Sequence, residues 1–167
     1  MTDEMIADKV YEACEREVIR QGFEGDLVDD RTRRLTSIWL VNALYPEVPL
    51  ELDDLNVYAY LIEPTNGGEL RTTPVSFADL STAIPAANIP RAIENWILRF
   101  NFNLGEGDKR PLATRDHMAQ DVIKEFLDIH PYSDGNGRLA FILYNWLLGF
   151  PDEPFPLPYF YGEAPSS

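Results

Sequence analysis

The chain has 167 residues and a formal net charge of −14, a length that suits one domain with a hydrophobic core of its own. So acidic a surface repels nucleic acid and anionic lipid, which argues against both as partners. The simplest interpretation of that charge is that it keeps the protein soluble.

The location of the protein is constrained by what the sequence lacks. No run of about 18 apolar residues is present, so no membrane-spanning helix is expected. The acidic start Met1–Met5 has neither the basic residues nor the apolar run of a signal peptide. The single cysteine, Cys14, cannot form an internal disulfide, which agrees with a reducing compartment. We expect a cytoplasmic protein, and delivery into another cell without a cleavable signal stays open.

The first half of the chain predicts three helices. Apolar residues recur with helical spacing in three segments, and Pro46 and Pro64 end the second and the third. The segments are Asp3–Arg20, about Arg31–Leu44, and Leu50–Glu63. An acidic loop separates the first two.

The second half predicts three more helices. They are expected over about Pro90–Asn103, over about Thr114–Ile129 with Thr114 as the N-cap, and after residue 138 as far as Gly149. Gly105–Asp108 is expected to be a turn. The last helix is apolar on all sides, which predicts that it lies at the centre of an all-α bundle of about six helices. The segment Pro151–Ser167, rich in proline and aromatics, is expected to be an extended tail.

Nine residues between the fifth and sixth helices carry the chemistry: His130-Pro-Tyr-Ser-Asp-Gly-Asn-Gly-Arg138. A glycine-containing loop that opens a helix points several backbone N–H groups, and the positive end of the helix dipole, at one spot. Arg138 can donate two hydrogen bonds to a phosphate, and Asp134 can hold Mg²⁺. His130 is the natural general base. The loop therefore suits a nucleotide's phosphates and the deprotonation of an attacking hydroxyl.

These residues resemble the signature of the Fic family, H-x-F-x-[DE]-G-N-G-R-x-x-R, in a match that covers roughly Leu35–Phe150. Most characterised members transfer AMP from ATP to a hydroxyl of a target protein. The resemblance implies that His130 is the catalytic base and Asp134 the Mg²⁺ ligand. It implies phosphate binding by Gly135, Asn136, Gly137 and Arg138. The resemblance also predicts the division of the chain. Residues 1–34 form an N-terminal helix and acidic loop packed on the core, residues 35–150 form the Fic domain, and residues 151–167 form the tail.

Two positions depart from that signature. Tyr132 replaces the usual Phe and keeps an aromatic plug. Phe141 replaces the second Arg, which in the family steadies the outer phosphates of ATP. The related Doc toxins also lack this Arg and transfer a terminal phosphate, but they usually have Ala-Asn-Lys where this chain has Gly-Asn-Gly. The departure at 141 leaves the donor open.

An upstream segment, Gly67–Phe77, resembles the family's flap, a β-hairpin on which an extended target can add as a further strand. Leu70 stands where an aromatic residue is usual. The residues expected to dock the target are Leu70, Arg71, Thr72 and Thr73. The alternative is a plain surface loop.

Other residues receive weaker assignments. Tyr144 and Asn145 are candidates for a pocket that binds the nucleotide base, although packing is the simpler role for both. His117 is expected to be a surface residue. No segment matches the inhibitory motif [ST]-x-x-x-E-[GN] of the family, so restraint could come from a separate antitoxin-like protein, or be absent.

Three functions follow from these observations. The first is AMP transfer from Mg·ATP to a target-protein hydroxyl, with Mg²⁺ as cofactor. The second keeps the site but changes the donor, to another nucleotide, a phosphodiester or, as in Doc, a terminal phosphate. The third is a catalytically weak nucleotide-binding or adaptor module.

Overall fold

The structure, a computed structural model, describes residues 2–77, 81–107 and 109–160. These residues form six α-helices: α1 Asp3–Arg20, α2 Leu27–Ala43, α3 Leu52–Ile62, α4 Ile89–Gly107, α5 Leu112–Ile129 and α6 Asn136–Leu147. Two single-turn 3₁₀ helices cover Pro64–Asn66 and Ala86–Asn88. The predicted all-α fold is confirmed. None of these helices is long and apolar enough to cross a bilayer.

The centre of the bundle is α6, as its composition predicts, because every one of its residues is buried. The other five helices all pack against it. On one side the ring of Phe141 lies 5.8 Å from that of Trp39 on α2, measured between centroids. Position 141 is therefore in the hydrophobic core, where a charged side chain would be costly.

Three helix boundaries differ from the sequence-based expectation. Helix α2 begins at Leu27, since Asp29 and Asp30 in its first turn interact favourably with the helix dipole. Helix α4 continues through the expected turn to Gly107, and Asp108 lies outside the described residues. Helix α5 begins at Leu112 after Pro111, so Thr114 lies inside the helix and is not its cap.

The predicted hairpin flap has no named strand within the described residues, and the backbone pairing found there lies further along the chain than expected. A single antiparallel bridge joins Ser76 and Thr82. It is flanked by hydrogen bonds from Ala83 N to Val75 O (3.0 Å) and from Phe77 N to Ser81 O (2.7 Å). Residues 78–80, between the two paired segments in sequence, lie outside the described residues. The expected docking segment, 70–73, precedes the paired part of the hairpin.

The tail has no helix between residues 151 and 160 and is tied to the bundle by two buried side chains. Asn145 of α6 accepts a hydrogen bond from Phe155 N (2.8 Å) and donates one to Phe155 O (2.9 Å). Glu17 of α1 accepts from Leu157 N at 3.1 Å. Residues 161–167 lie outside the described residues.

Candidate functional site

The loop between α5 and α6 is held in one conformation by its own side chains. Asn136 is fully buried; its Oδ1 accepts from Tyr132 N at 3.0 Å and its Nδ2 donates to Tyr132 O at 2.7 Å. Two left-handed residues turn the chain, His130 (φ 51°) at the end of α5 and Gly135 (φ 88°) at the start of α6. The paired amide of Asn136 thus fixes the loop that joins the two helices.

The surroundings of Tyr132 accommodate a phenol ring in place of the usual phenyl ring. Its ring is fully buried, and its hydroxyl donates to Asn56 Oδ1 of α3 at 2.6 Å. Burial raises the pKa of the Tyr132 hydroxyl, so the group stays a neutral donor. The additional oxygen is therefore satisfied, and it links the loop to α3.

The candidate base, His130, is almost buried, with 4 % of its surface exposed. Its ring lies edge-on to Phe77 of the flap, 5.5 Å between centroids. Its backbone carbonyl accepts from Arg71 Nε at 2.6 Å. The flap and the candidate base are therefore in direct contact.

Arg71, one of the four residues expected to dock the target, is buried at the base of the flap. The side chain is 4 % exposed, and its guanidinium donates to the backbone carbonyls of Thr73, Ile84, Ile129 and His130. It thereby ties the base of the flap to the C-terminus of α5, where carbonyls have no helical partner. Thr72 and Thr73 are exposed, and Leu70 is half-buried against the core.

Asp134 suits a hard cation at one of its oxygens. Its Oδ1 accepts from Gly135 N at 2.7 Å and from Arg138 at 3.3 Å. Among the described residues no hydrogen bond reaches Oδ2, and the side chain is 36 % exposed. No group of three or more His, Cys, Asp or Glu side chains within the described ranges could enclose a metal. Mg²⁺ usually binds through one or two carboxylates together with substrate phosphates, so the single Asp134 fits that mode.

Arg138 does not present the open two-pronged donor that the sequence suggests. It is 1 % exposed, and its two terminal nitrogens both donate to Glu63 Oε1 at 3.2 Å. Its Nε has no partner, and Phe23 covers the guanidinium with its ring centroid 4.4 Å from Cζ. Burial lowers the pKa of Arg138, while Asp134 and Glu63 oppose that shift. The guanidinium therefore lies beside the loop, but Glu63 and Phe23 cover it from solvent.

Glu63 and its second partner, Arg31, were not among the residues expected at the site. Arg31 donates from Nε to Glu63 Oε1 and from its terminal nitrogen to Oε2, both at 3.0 Å. Burial would raise the pKa of Glu63, but hydrogen bonds from Thr65 and Arg31 and the charge of Arg138 outweigh it and lower the pKa. A signal was available: Glu63 lies four residues after Ala59, and Arg31 four before Leu35, so each extends an inward apolar stripe by one turn.

A sequence profile of the Fic/DOC family matches residues 49–148, more than half of the chain. The chain belongs to the Fic/DOC family. The match includes α3, the flap, α4, α5, the His130–Arg138 loop and α6. Arg31 and Phe23 lie before the matched region.

Two solved Fic structures have the same fold. A Fic domain-containing signaling protein from Bacteroides thetaiotaomicron aligns with 90 % of this chain at 17 % identity and a TM-score of 0.60. Fic-1 from C. elegans aligns with 94 % of it at 16 % identity and a TM-score of 0.59. The alignments cover 62 % and 51 % of those two chains, respectively. No curated protein matches the chain.

Two residues expected to line a base pocket in this Fic domain have packing roles. Tyr144 donates a hydrogen bond to Asp116, near the start of α5, and Asn145 holds the tail. Both are buried, because α6 is covered on all sides. A groove of about 470 Å³ exists between α4 and α5, but its lining includes no residue of the His130–Arg138 loop.

Gly135 is expected to resist substitution in this Fic loop. Its φ is 88°, and an added Cβ would lie 3.2 Å from Glu63 Cβ. We expect Gly135→Ala to lower the free energy of unfolding by about 1–3 kcal/mol, measured by urea denaturation. Gly105→Ala is the matched control, because that glycine is helical with nothing within 4 Å of the added carbon. It should be neutral or stabilise by up to about 1 kcal/mol; equal effects of the two changes would contradict the prediction.

Proposed function

We propose that this protein transfers AMP from Mg·ATP to a hydroxyl of a target protein. The observation that supports this most is the clamped loop. It holds a nearly buried histidine at the end of α5 and, at the start of α6, a helix N-terminus that receives no capping hydrogen bond from its N-cap residue, Gly135. Such an N-terminus favours phosphate. Retention of each residue of the chemical step, His130 through Arg138, agrees with an active enzyme.

In the proposed mechanism His130 accepts the proton of the target hydroxyl as the oxygen attacks the α-phosphorus of ATP. An O–P bond to the target forms, the bond to the β-phosphate oxygen breaks, and pyrophosphate leaves. The N–H groups of Asn136 and Gly137 stabilise negative charge that develops on the phosphate oxygens. Asp134 would hold Mg²⁺, which supplies further neutralisation of phosphate charge when bound.

The flap is the proposed docking site for the target. Thr72 and Thr73 are exposed, and the hairpin that follows them contacts the His130 ring through Phe77. An extended peptide that adds to the hairpin edge would bring a side-chain hydroxyl toward the base. Arg71 contributes by holding the flap in place and not by contacting the target.

A different donor is the second candidate, and one observation favours it. Phe141 stands in the core against Trp39, so α6 offers no second cation for the outer phosphates of ATP. Another nucleotide, a phosphodiester or a terminal phosphate could then be the transferred group. The covered guanidinium of Arg138 is the observation that favours a weak nucleotide-binding or adaptor module.

Intact-mass spectrometry separates these candidates. The purified protein is incubated with Mg²⁺ and each nucleoside triphosphate, alone and with lysate proteins, beside a His130→Ala sample. The proposal expects an added mass of one adenosine monophosphate with ATP, on the protein itself or on a target, and none with the variant. An added phosphate would point to the Doc-like reaction. No addition to any protein with any nucleotide, together with no nucleotide binding, would leave the adaptor function.

A further inference from the structure

Two arginines from different helices meet on one carboxylate beside the His130–Arg138 loop. Arg31 of α2 and Arg138 of α6 both donate to Glu63 Oε1, at 3.0 and 3.2 Å. Arg31 also donates to Oε2 at 3.0 Å, and Glu63 is 2 % exposed. Guanidinium groups bind carboxylate and phosphate oxygens with the same two-pronged geometry. The pair of arginines therefore forms an anion site that is filled by a side chain of the protein.

Stability alone is a weak explanation for this cluster. Removing charges from water costs several kcal/mol per ion, and buried ionic triads are often no more stable than apolar residues of similar volume. Here Arg138 also keeps an unpartnered Nε, so the cluster is incompletely satisfied. A site that binds an anionic ligand explains why two cations are held so close together.

The outer carboxylates belong to the same arrangement and limit its charge. Asp30 accepts from Arg31 at 2.7 Å and from Arg34 at 2.9 Å, and its side chain is 46 % exposed. Asp134 accepts from Arg138 at 3.3 Å. Because both acids lie at the exposed side of the cluster, they can remain paired while the central carboxylate is exchanged for another anion.

Arg31 supplies what α6 lacks. The core position of Phe141 leaves α6 with Arg138 as the one arginine of the loop. Arg31 reaches the same carboxylate from α2, and its side chain is 16 % exposed, against 1 % for Arg138. It therefore lies on the solvent side of the pair, where the end of a phosphate chain would arrive.

Phe23 covers both cations. Its ring centroid is 4.4 Å from Arg138 Cζ and 5.9 Å from Arg31 Cζ. The residue lies in the short connection between α1 and α2, which contains Gly22 and Gly25 in left-handed conformations with nothing within 4 Å of an added Cβ. The connection has open space at both glycines, and Phe23 itself is only partly buried against the core.

We propose that Arg31 is the second phosphate-binding arginine of the site. Together with Arg138 it holds the outer phosphates of a nucleoside triphosphate, and Glu63 fills their place in the unliganded protein. The inference rests on the proposed function only in that the donor is a nucleoside triphosphate. It concerns a segment that precedes the region matched by the family profile.

Binding of inorganic triphosphate, measured by calorimetry at fixed ionic strength, tests the inference without any reaction. We expect Glu63→Gln to bind triphosphate at least about tenfold more tightly than the wild-type protein, because the competing carboxylate charge is gone. Adding Arg31→Gln in that background should weaken binding about tenfold or more. Adding Arg33→Gln removes the same charge from α2 at a side chain that is 74 % exposed, and should change little.

Equal affinities of the Glu63→Gln/Arg31→Gln and Glu63→Gln/Arg33→Gln proteins would overturn the inference. Arg31→Lys guards against loss of structure, since it keeps the charge and loses only the two-pronged geometry; its affinity should be intermediate. Triphosphate should also raise the Tm of Glu63→Gln more than that of the Arg31 double variant. Arg31-dependent binding without AMP transfer would leave this inference standing and reject the proposed function. If AMP transfer occurs and Arg31→Gln leaves the KM for ATP unchanged, the proposed function stands and this inference is rejected.

Discussion

Replacing His130 with alanine is expected to lower the rate of AMP transfer by about 100- to 10,000-fold, the usual contribution of a positioned general base. The proposed attack requires removal of the hydroxyl proton, and within the His130–Arg138 loop no other side chain has an ordinary pKa near neutrality. The effect should fall on kcat with little change in KM for ATP, since the imidazole is not proposed to bind phosphate. The readout is initial rate of AMP incorporation at saturating and subsaturating ATP.

The backbone at His130 calls for a second variant. Its φ of 51° is left-handed, which costs alanine roughly 1 kcal/mol or more. Asparagine tolerates this conformation better and is no base, so His130→Asn should lose the same activity with less loss of stability. His117→Ala is the matched control, because the only other histidine is 82 % exposed. Equal loss of activity in the His117 variant, or activity retained by both His130 variants, would argue against the mechanism.

Arg71→Ala is expected to destabilise the protein by about 3–5 kcal/mol. The change removes a charged donor from four backbone carbonyls. A hydrogen bond to a charged group contributes about 1.5–3 kcal/mol, and the four contributions are not additive because they come from one guanidinium. Two of those carbonyls, at Ile129 and His130, end α5. The measurement is the free energy of unfolding from urea denaturation, with the m-value checked for unchanged two-state behaviour.

The same variant should also loosen the flap. Without Arg71 the connection to Thr73 and Ile84 is lost, so amide hydrogen exchange should accelerate in residues 72–77 and 81–84 while α6 remains protected. Arg33→Ala provides the control, since its exposed pair with Asp29 should contribute at most about 1 kcal/mol. A destabilisation by Arg71→Ala that is no larger than that of Arg33→Ala would show that the guanidinium does not hold the flap.

The periodicity of apolar residues was sufficient to predict most of the helices. The apolar composition of α6 placed it at the centre, and the stripe in α3 gave that helix to within two residues. Such patterns follow from local geometry, since 3.6 residues per turn puts one face of a helix toward the core. Boundaries were harder to predict because capping and dipole effects of about 1 kcal/mol or less decide them, as at Leu27 and Gly107.

Only part of the candidate site could be predicted from the sequence. A contiguous motif named His130, Asp134 and Arg138, because all three lie within one loop. The docking role assigned to Arg71 stays a prediction, and only the tertiary structure shows that its side chain lies under the end of α5. For Tyr144 and Asn145 packing was already the simpler role, and the structure buries both side chains. Which neighbours cover a central helix is set by the packing of the other helices.

The helical bundle and the candidate catalytic loop are each encoded in residues close together along the chain, so local patterns were enough to predict both. By contrast, folding alone brings Arg31 and Glu63, which are 32 positions apart, into one buried cluster with Arg138, in which both arginines pair with the same carboxylate. Charge pairing acts over a few ångströms in space and leaves no fixed spacing in sequence. The state of the anion site, closed on a carboxylate and covered by Phe23, is therefore a property of the folded protein alone.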